Sequence, residues 1–393
     1  MVIASMNDTL DDRIDRGSSD SVKWGAYAPD VLPLWVADMD FRSPPAVLDA
    51  LAQRVAHGVF GYGKEPRELA EVISARLGRL YSWDVSPGDI VFLPGVVPGL
   101  YLSCRAFTES GEKVVVQTPV YPPIRRAPID SGRTSVEVGF VRGEDGQLAI
   151  EWDAFGQALD AQAKLFVLCN PQNPLGRVFT REELERIAEH CLRRDVVICS
   201  DEIHCDLVFP GYPHVPIAAL SPEVAQRTIT LMAPSKTYNL AGLDCSFAVI
   251  PNPELRARFQ KSRRGLVPQV NILGLTAGLA AYRDGQGWLD EVLGQLTANR
   301  NALLDQVRNH LPGVRTTAPE GTYLAWLDCR QSPAAENPYQ FFLTRAKVAL
   351  SDGLTFGAGG EGHVRLNFGC RQTVLLEALA RMRRALEKAE ASG

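Results

Sequence analysis

The sequence predicts an α/β protein built on a mostly parallel sheet, and three observations carry that prediction. Short continuous apolar runs recur at 90–93, 113–117, 164–169, 196–200, 228–232 and 246–250. Runs of this length without polar alternation suit strands covered on both faces. Helical segments lie between several of them, which is the alternation of an α/β domain. Polar residues stand at the ends of the runs: Tyr121 after the second, Asn173 after the third, Asp201 directly after the fourth and Lys236 just after the fifth. Open parallel sheets bind ligands outside the carboxyl ends of their strands, so four elements converge on one crevice.

The elements follow in order. The first fifty residues are loop-like and rich in proline around one apolar piece at 32–37, which reads as an arm laid over something else. Residues 45–57 have helical spacing, with Val47, Leu48, Leu51 and Val55 on one face. A turn-rich segment at 58–63 precedes a second amphipathic helix over 65–81. The clearest helix is 180–194, where Thr180 and Glu183 form a capping box and Leu184, Ile187, Ala188 and Cys191 the apolar stripe. Beyond about residue 284 the pattern changes to a long helix over 288–311, a small α+β stretch with apolar runs at 322–327 and 363–368, and a terminal helix over 372–389. The expected division is an arm over 1–48, a large domain over 49–284 and a small domain over 285–393.

Composition narrows the function. With 393 residues, two domains are expected. A net charge of -5 offers no electrostatic footprint for nucleic acid or an anionic membrane. Eight scattered cysteines with no C-x-x-C pair read as reduced thiols of a cytoplasmic protein, with no metal site. The opening MVIASMNDTLDDR meets acidic residues too soon for a secretory signal, and no run approaches a membrane span.

Lys236 lies just past a buried run, in Ser235-Lys236-Thr237, where it can lose water and become a nucleophilic, Schiff-base-forming amine. Together with Ser200-Asp201-Glu202-Ile203-His204 and 170–176 (NPQNPLG) upstream, the segment 235–242 (SKTYNLAG) resembles the fold-type I pyridoxal-phosphate enzymes of the class I/II aminotransferase superfamily. Within it, 32–41 (LPLWVADMDF), 58–62 (GVFGY), 319–328 (PEGTYLAWLD) and 359–362 (GGEG) resemble the MalY/PatB-type cystathionine β-lyases. The resemblance covers about 23–384 and implies a mostly parallel sheet of the seven-stranded type with a smaller α+β C-terminal domain.

What the resemblance implies for single residues agrees with the chemistry required. Lys236 would hold pyridoxal 5'-phosphate and act as the base at Cα. Asp201 would keep the pyridine nitrogen protonated, making the ring an electron sink. Asn173 would bond the ring's phenolic oxygen and adjoin the substrate, with His204 near the same edge and Tyr121 stacked on the ring. Val96 and Val97, after Gly95 and near the start of a helix, would offer backbone amides to the phosphate, and Ser235 a hydroxyl. Tyr62 matches a tyrosine that relatives bring from the partner subunit, which implies a homodimer. Arg365 would grip the substrate's α-carboxylate, joined by the backbone amide of Ala37. Two departures stand out: Asp244 occupies a place where many relatives carry a phosphate-binding arginine, and Leu175 one where other residues are common. The GAGGEG segment at 357–362 reads as a turn, since no buried strand leads into it.

The resemblance favours β-elimination: cystathionine or another S-substituted cysteine is cleaved to a thiol, pyruvate and ammonia. The same residues would serve an aminotransferase or a decarboxylating variant, and a regulatory protein retaining the fold is a further alternative.

Overall fold

The computed structural model describes residues 14–143, 147–160 and 162–391. The N-terminal stretch 1–13, read above as no secretory signal, lies outside the described residues.

A short strand in the arm, β1 (Leu32–Pro33), precedes the main sheet. That sheet contains β2 (Ile90–Leu93), β3 (Lys113–Thr118), β4 (Thr134–Arg142), β5 (Leu148–Ile150), β6 (Ala163–Cys169), β7 (Val197–Asp201), β8 (Thr228–Met232) and β9 (Ser246–Val249). Its order is β2-β9-β8-β7-β6-β3-β4-β5, with β9 antiparallel to both neighbours, β5 antiparallel at the edge and the remaining strands parallel. The interior strands β6, β7 and β8 are buried almost throughout because helices cover both faces. Helices Val96–Phe107 and Pro253–Arg263 close one side, through Leu100, Leu102 and Phe259. Trp152–Asp160 and Arg181–Leu192 close the other, through Phe155, Leu184 and Ile187.

The seven-stranded type expected from the resemblance is extended by β5, which pairs in a hairpin with β4. Neither of these two strands is among the apolar runs read from the sequence. β4 lies beside the edge and is largely half-exposed, so its sequence TSVEVGFVR mixes polar and apolar residues. The helix expected from residue 65 starts at Arg67, since Pro66 is its extended N-cap and a residue before proline, here Glu65, is disfavoured in helical backbone. Thr180 caps its helix through the reciprocal pair with Glu183. The 357–362 segment is a turn, with left-handed backbone at Gly357, Gly359 and Gly362.

The C-terminal part holds β10 (Arg315–Thr316), β11 (Leu324–Asp328), β12 (Val348–Ala349), β13 (Ser351–Asp352) and β14 (His363–Asn367). Four of these form an antiparallel sheet, β10-β11-β14-β13, packed with helices Gln286–His310 and Gln372–Glu390. The arm is tied here too, because β1 pairs in parallel with β12. Among the described residues, no helix is long and apolar enough to cross a membrane. All eight cysteines are free and buried.

Two polar clusters position the arm and the lysine turn. Lys23, with no side-chain exposure, lies 2.8 Å from Asp40, while Arg16 pairs with Asp38 at 2.8 Å and Trp24 donates to Asp40 at 2.9 Å. Asn239 clasps the same stretch, accepting from the Met39 N–H at 3.0 Å and donating to the carbonyls of Met39 and Phe41 at 2.9 and 2.8 Å. Deeper in, Arg76 meets Asp206 at 2.7 Å, and the Thr237 hydroxyl donates to the other Asp206 oxygen at 3.0 Å. Removing one member of a buried ion pair strands the other. Asp206→Ala is therefore expected to destabilise the fold by about 3–5 kcal/mol, read as a lower denaturant midpoint.

Candidate active site

The lysine turn is built by its neighbours. β8 ends at Met232, and Pro234 starts the one-turn helix Pro234–Thr237 at the position where its missing N–H costs nothing. This turns the Lys236 side chain back over the carboxyl end of the sheet, where its Nζ donates to the Ala37 carbonyl at 2.7 Å. The residue meets a cavity rather than bulk water. Burial lowers its pKa to about 8; Asp38 and Asp201 oppose that fall and the Arg365 charge adds to it.

That cavity measures about 470 Å³ and is lined by Val36, Ala37, Gly95, Val96, Val97, Tyr121, Asn173, Asp201, His204, Ser235, Lys236, Asp244 and Arg365, among others. Its size suits a small organic ligand. Every single-chain site residue expected from the sequence therefore lies on one wall or another of one space. Tyr62 does not: it is fully exposed on the loop before Arg67, next to exposed Val59 and Phe60.

Asp201 is the last residue of β7, expected just past the strand and in fact within it, opposite Cys169 and Leu231. It is 4% exposed, and its carboxylate accepts the Ile203 N–H at 3.2 Å. Burial pushes its pKa up to about 7; the Ile203 N–H opposes, the Glu202 charge adds and Lys236 opposes. His204 is driven down to about 3 by burial, with the Lys236 and Arg365 charges in the same sense, so it is a neutral ring. Its Nδ1 has no partner among the described residues, and it meets Tyr323 edge-on at 5.8 Å.

Arg365 sits in the middle of β14, with burial lowering its pKa to about 10. Nη1 donates to Asn173 Oδ1 at 2.8 Å, and Nη2 to the Trp35 carbonyl at 2.8 Å and Ser351 Oγ at 3.0 Å. The guanidinium lies 5.0 Å from the Phe356 ring centroid. Its Nε has no acceptor, and no carboxylate pairs with it among the described residues. A buried cation without an anion is costly unless a ligand supplies one.

At the opposite end, Gly95 caps helix Val96–Phe107 and leaves the amides of Val96 and Val97 facing the same space as Ser235. A Cβ on Gly95 would come within 3.2 Å of Pro98 Cδ. Asp244 also lines this end, exposed and in left-handed backbone at φ 49°. The Ala37 N–H, expected to face a substrate carboxylate, has no acceptor among the described residues, while its carbonyl takes both Lys236 and the Tyr323 hydroxyl, the latter at 2.9 Å. Tyr121 caps helix Pro122–Asp130 and donates its N–H to the Asn173 carbonyl at 3.0 Å, which ties two cavity walls together.

Three contributors escaped sequence reasoning. Tyr323 and Trp35 fall inside the motifs quoted above, where nothing marks one aromatic as a polar contributor. Ser351 lies on a two-residue strand and gives no signal.

This donor set fits pyridoxal phosphate: an amine of lowered pKa for an aldehyde, a buried carboxylate for a ring nitrogen, and an anion-favouring helix start with a hydroxyl, all lining one cavity. Fold and site together define a pyridoxal-phosphate enzyme of the class I and II aminotransferase family, and the chain belongs to that family, whose model matches residues 29–382. Within the family it is of the PatB/MalY type. It is 39% identical to cystathionine beta-lyase PatB of Bacillus subtilis (strain 168), over 96% of this chain and 99% of PatB. The solved structure of OvoB is 47% identical, with a TM-score of 0.92 and coverage of 96% of this chain and 98% of OvoB. The PLP-bound C-S lyase of Staphylococcus hominis is 31% identical with a TM-score of 0.90, covering 96% and 98% of the two chains.

With Lys236 lowered to about 8, its neutral amine grows roughly tenfold per pH unit below that value and then levels. The rate at which the cofactor-free protein takes up pyridoxal phosphate covalently is expected to follow that curve, whereas an ordinary lysine would keep rising toward 10.4. Stopped-flow absorbance across pH 6–10 checks it.

Proposed function

We propose that the protein is a carbon-sulfur β-lyase that cleaves cystathionine or another S-substituted cysteine, RS-CH2-CH(NH3+)-COO- plus water, to RSH, pyruvate and ammonium. The observation that supports this reading is a single cavity lined by Lys236, whose pKa is lowered to about 8, by Asp201, and by Arg365, whose guanidinium pairs with no carboxylate among the described residues. The named relatives PatB and the S. hominis C-S lyase support the choice of carbon-sulfur cleavage.

Pyridoxal phosphate, when bound, supplies an electron sink that makes a Cα proton removable and a β-thiolate able to leave. The rest falls to the chain. Val96, Val97 and Ser235 would hold the cofactor's phosphate, Asp201 would hold a proton at its ring nitrogen, Asn173 and the neutral His204 would bind at its phenolic oxygen, and Tyr121 would stack against it. Arg365 would take the α-carboxylate with two donors, helped by the Ala37 N–H, and two parallel contacts would fix the rotation about Cα. The Lys236 amine takes that proton and, protonated, stands ready to give one to the departing sulfur.

The proposed assembly is a homodimer in which Tyr62 reaches the partner's cavity, in keeping with its full exposure beside Val59 and Phe60. We take the arm to run to residue 48 and the domains to be 49–284 and 285–393, with the cavity where the three meet. Free, buried cysteines favour a cytoplasmic setting.

The purified protein, given S-substituted cysteines and no 2-oxo acid, is expected to release thiol and pyruvate in equal amounts over many turnovers. No thiol or pyruvate, with one equivalent per site of the 2-oxo acid that still carries the S-substituent, would mean a transaminase instead. Arg365→Ala is expected to raise KM for the amino acid on the order of 10–100-fold, since it removes a charge-assisted bidentate contact.

A further inference from the structure

Four consecutive carbonyls of the arm, from Trp35 to Asp38, each accept a hydrogen bond from a side chain of the C-terminal part. Trp35 receives Arg365 and the Ser351 hydroxyl, the latter at 2.7 Å. Asn367, wholly buried on β14, donates to Val36 at 2.6 Å and to Asp38 at 2.7 Å. Between these two, the Ala37 carbonyl takes two donors, Lys236 Nζ at 2.7 Å and the Tyr323 hydroxyl at 2.9 Å. A peptide unit is planar, so Asn367 fixes the unit that carries the Ala37 N–H, through the Val36 carbonyl of the same unit. The donors to the Ala37 carbonyl fix the next unit, and Ala37 is set from both sides.

Tyr323 stands immediately before β11, is 1% exposed and meets His204 edge-on. Its own carbonyl accepts the Phe368 N–H at 2.8 Å. Thr322 before it lies in left-handed backbone at φ 68°, which a β-branched residue adopts only where its surroundings impose it. Here they do: the Thr322 N–H donates to the Leu207 carbonyl at 2.6 Å, and its hydroxyl accepts the Leu324 N–H at 3.0 Å. The phenol is thus mounted rigidly against the arm. The two donors to Ala37 differ in permanence. A lysine ammonium has three hydrogens to give. Once bonded to an aldehyde carbon, its nitrogen keeps at most one and is committed to the cofactor. The Tyr323 hydroxyl is untouched by that bond.

We propose that Tyr323 is a positioning residue: its hydroxyl holds the Ala37 carbonyl after Lys236 has left it for the cofactor, and so keeps the Ala37 N–H in place for the substrate's α-carboxylate. The inference rests on the lyase reading, which gives that N–H its role. Its physical basis is the cost of a buried carbonyl left without a donor, which the arm would relieve by shifting. Loading the cofactor would then loosen the very segment that has to meet the substrate, and Tyr323 prevents it.

The test is hydrogen exchange read by mass spectrometry on the arm peptide 34–41 of the full-length protein, cofactor-free and loaded with pyridoxal phosphate. The Asp38 and Met39 N–H groups donate to the Val36 carbonyl and to Asn239, each at 3.0 Å, so their exchange reports how firmly the segment is held. Wild type is expected to exchange alike in the two forms. Tyr323→Phe removes only the hydroxyl; it should match wild type when cofactor-free and exchange about 3–10-fold faster when loaded, the worth of one hydrogen bond. In the same variant KM for an S-substituted cysteine should rise about 3–10-fold, with kcat within about twofold of wild type. Equal acceleration in both forms would make Tyr323 a packing residue, and no acceleration in either would show that it holds nothing; each overturns the proposal, as does an unchanged KM in an active lyase. If Tyr323→Phe does not fold, as judged by thermal melting, Lys236→Ala takes its place. With Tyr323 alone on the carbonyl, exchange should stay at the wild-type cofactor-free rate, and faster exchange overturns the proposal. The exchange measurement needs no turnover, so its failure leaves the lyase assay standing, and it still decides the proposal if no thiol is released.

Discussion

Withdrawing the Lys236 amine from water is the constraint on which the other features depend. A lysine in bulk solvent stays an ammonium and does no nucleophilic chemistry at neutral pH; this one is brought down to about 8. The withdrawal requires a lid, and the arm provides it through the Ala37 carbonyl. The lid must itself be held, which explains why a short loop-like stretch carries a buried lysine, two aspartates and a clasp from Asn239, three residues beyond Lys236. The turn is held from below by Asp206 through Thr237. Anchoring from both sides lets one side chain sit where solvation would otherwise pull it out.

The charges of the cavity are arranged by position along the sheets. Lys236 and Asp201 come from adjacent parallel strands, β8 and β7, whose carboxyl ends lie side by side. Arg365 comes from the other sheet and is oriented by Asn173, Trp35 and Ser351, three neutral acceptors that fix its direction without cancelling its charge. An amino acid carries its carboxylate and amine on one carbon, and the cavity offers a cation for the first and an aldehyde-bearing site for the second. Asp244 runs against this arrangement, since it places a carboxylate at the end with the free helix amides, where an anion is favoured.

Much of this was legible in the sequence because it rests on local chemistry. Unbroken apolar runs marked the interior strands, and Tyr121, Asn173, Asp201 and Lys236, following four of the six runs, marked the cavity. The edge strands β4 and β5 were not legible, because half-exposed strands lack the uniform apolar signature. Long-range contacts were hidden for a different reason. Nothing local tells that Asn173 pairs with Arg365, that Ser351 on a two-residue strand orients it, or that Glu202 meets His214 across a loop; these depend on which elements the fold brings together.

The central claim is that the amine of residue 236 is the one that joins the cofactor. The most direct measurement is borohydride reduction of the pigmented protein followed by peptide mass mapping. The account predicts a single reduced pyridoxal-phosphate adduct, on the peptide containing Lys236. An adduct on a different lysine, or none, would contradict it.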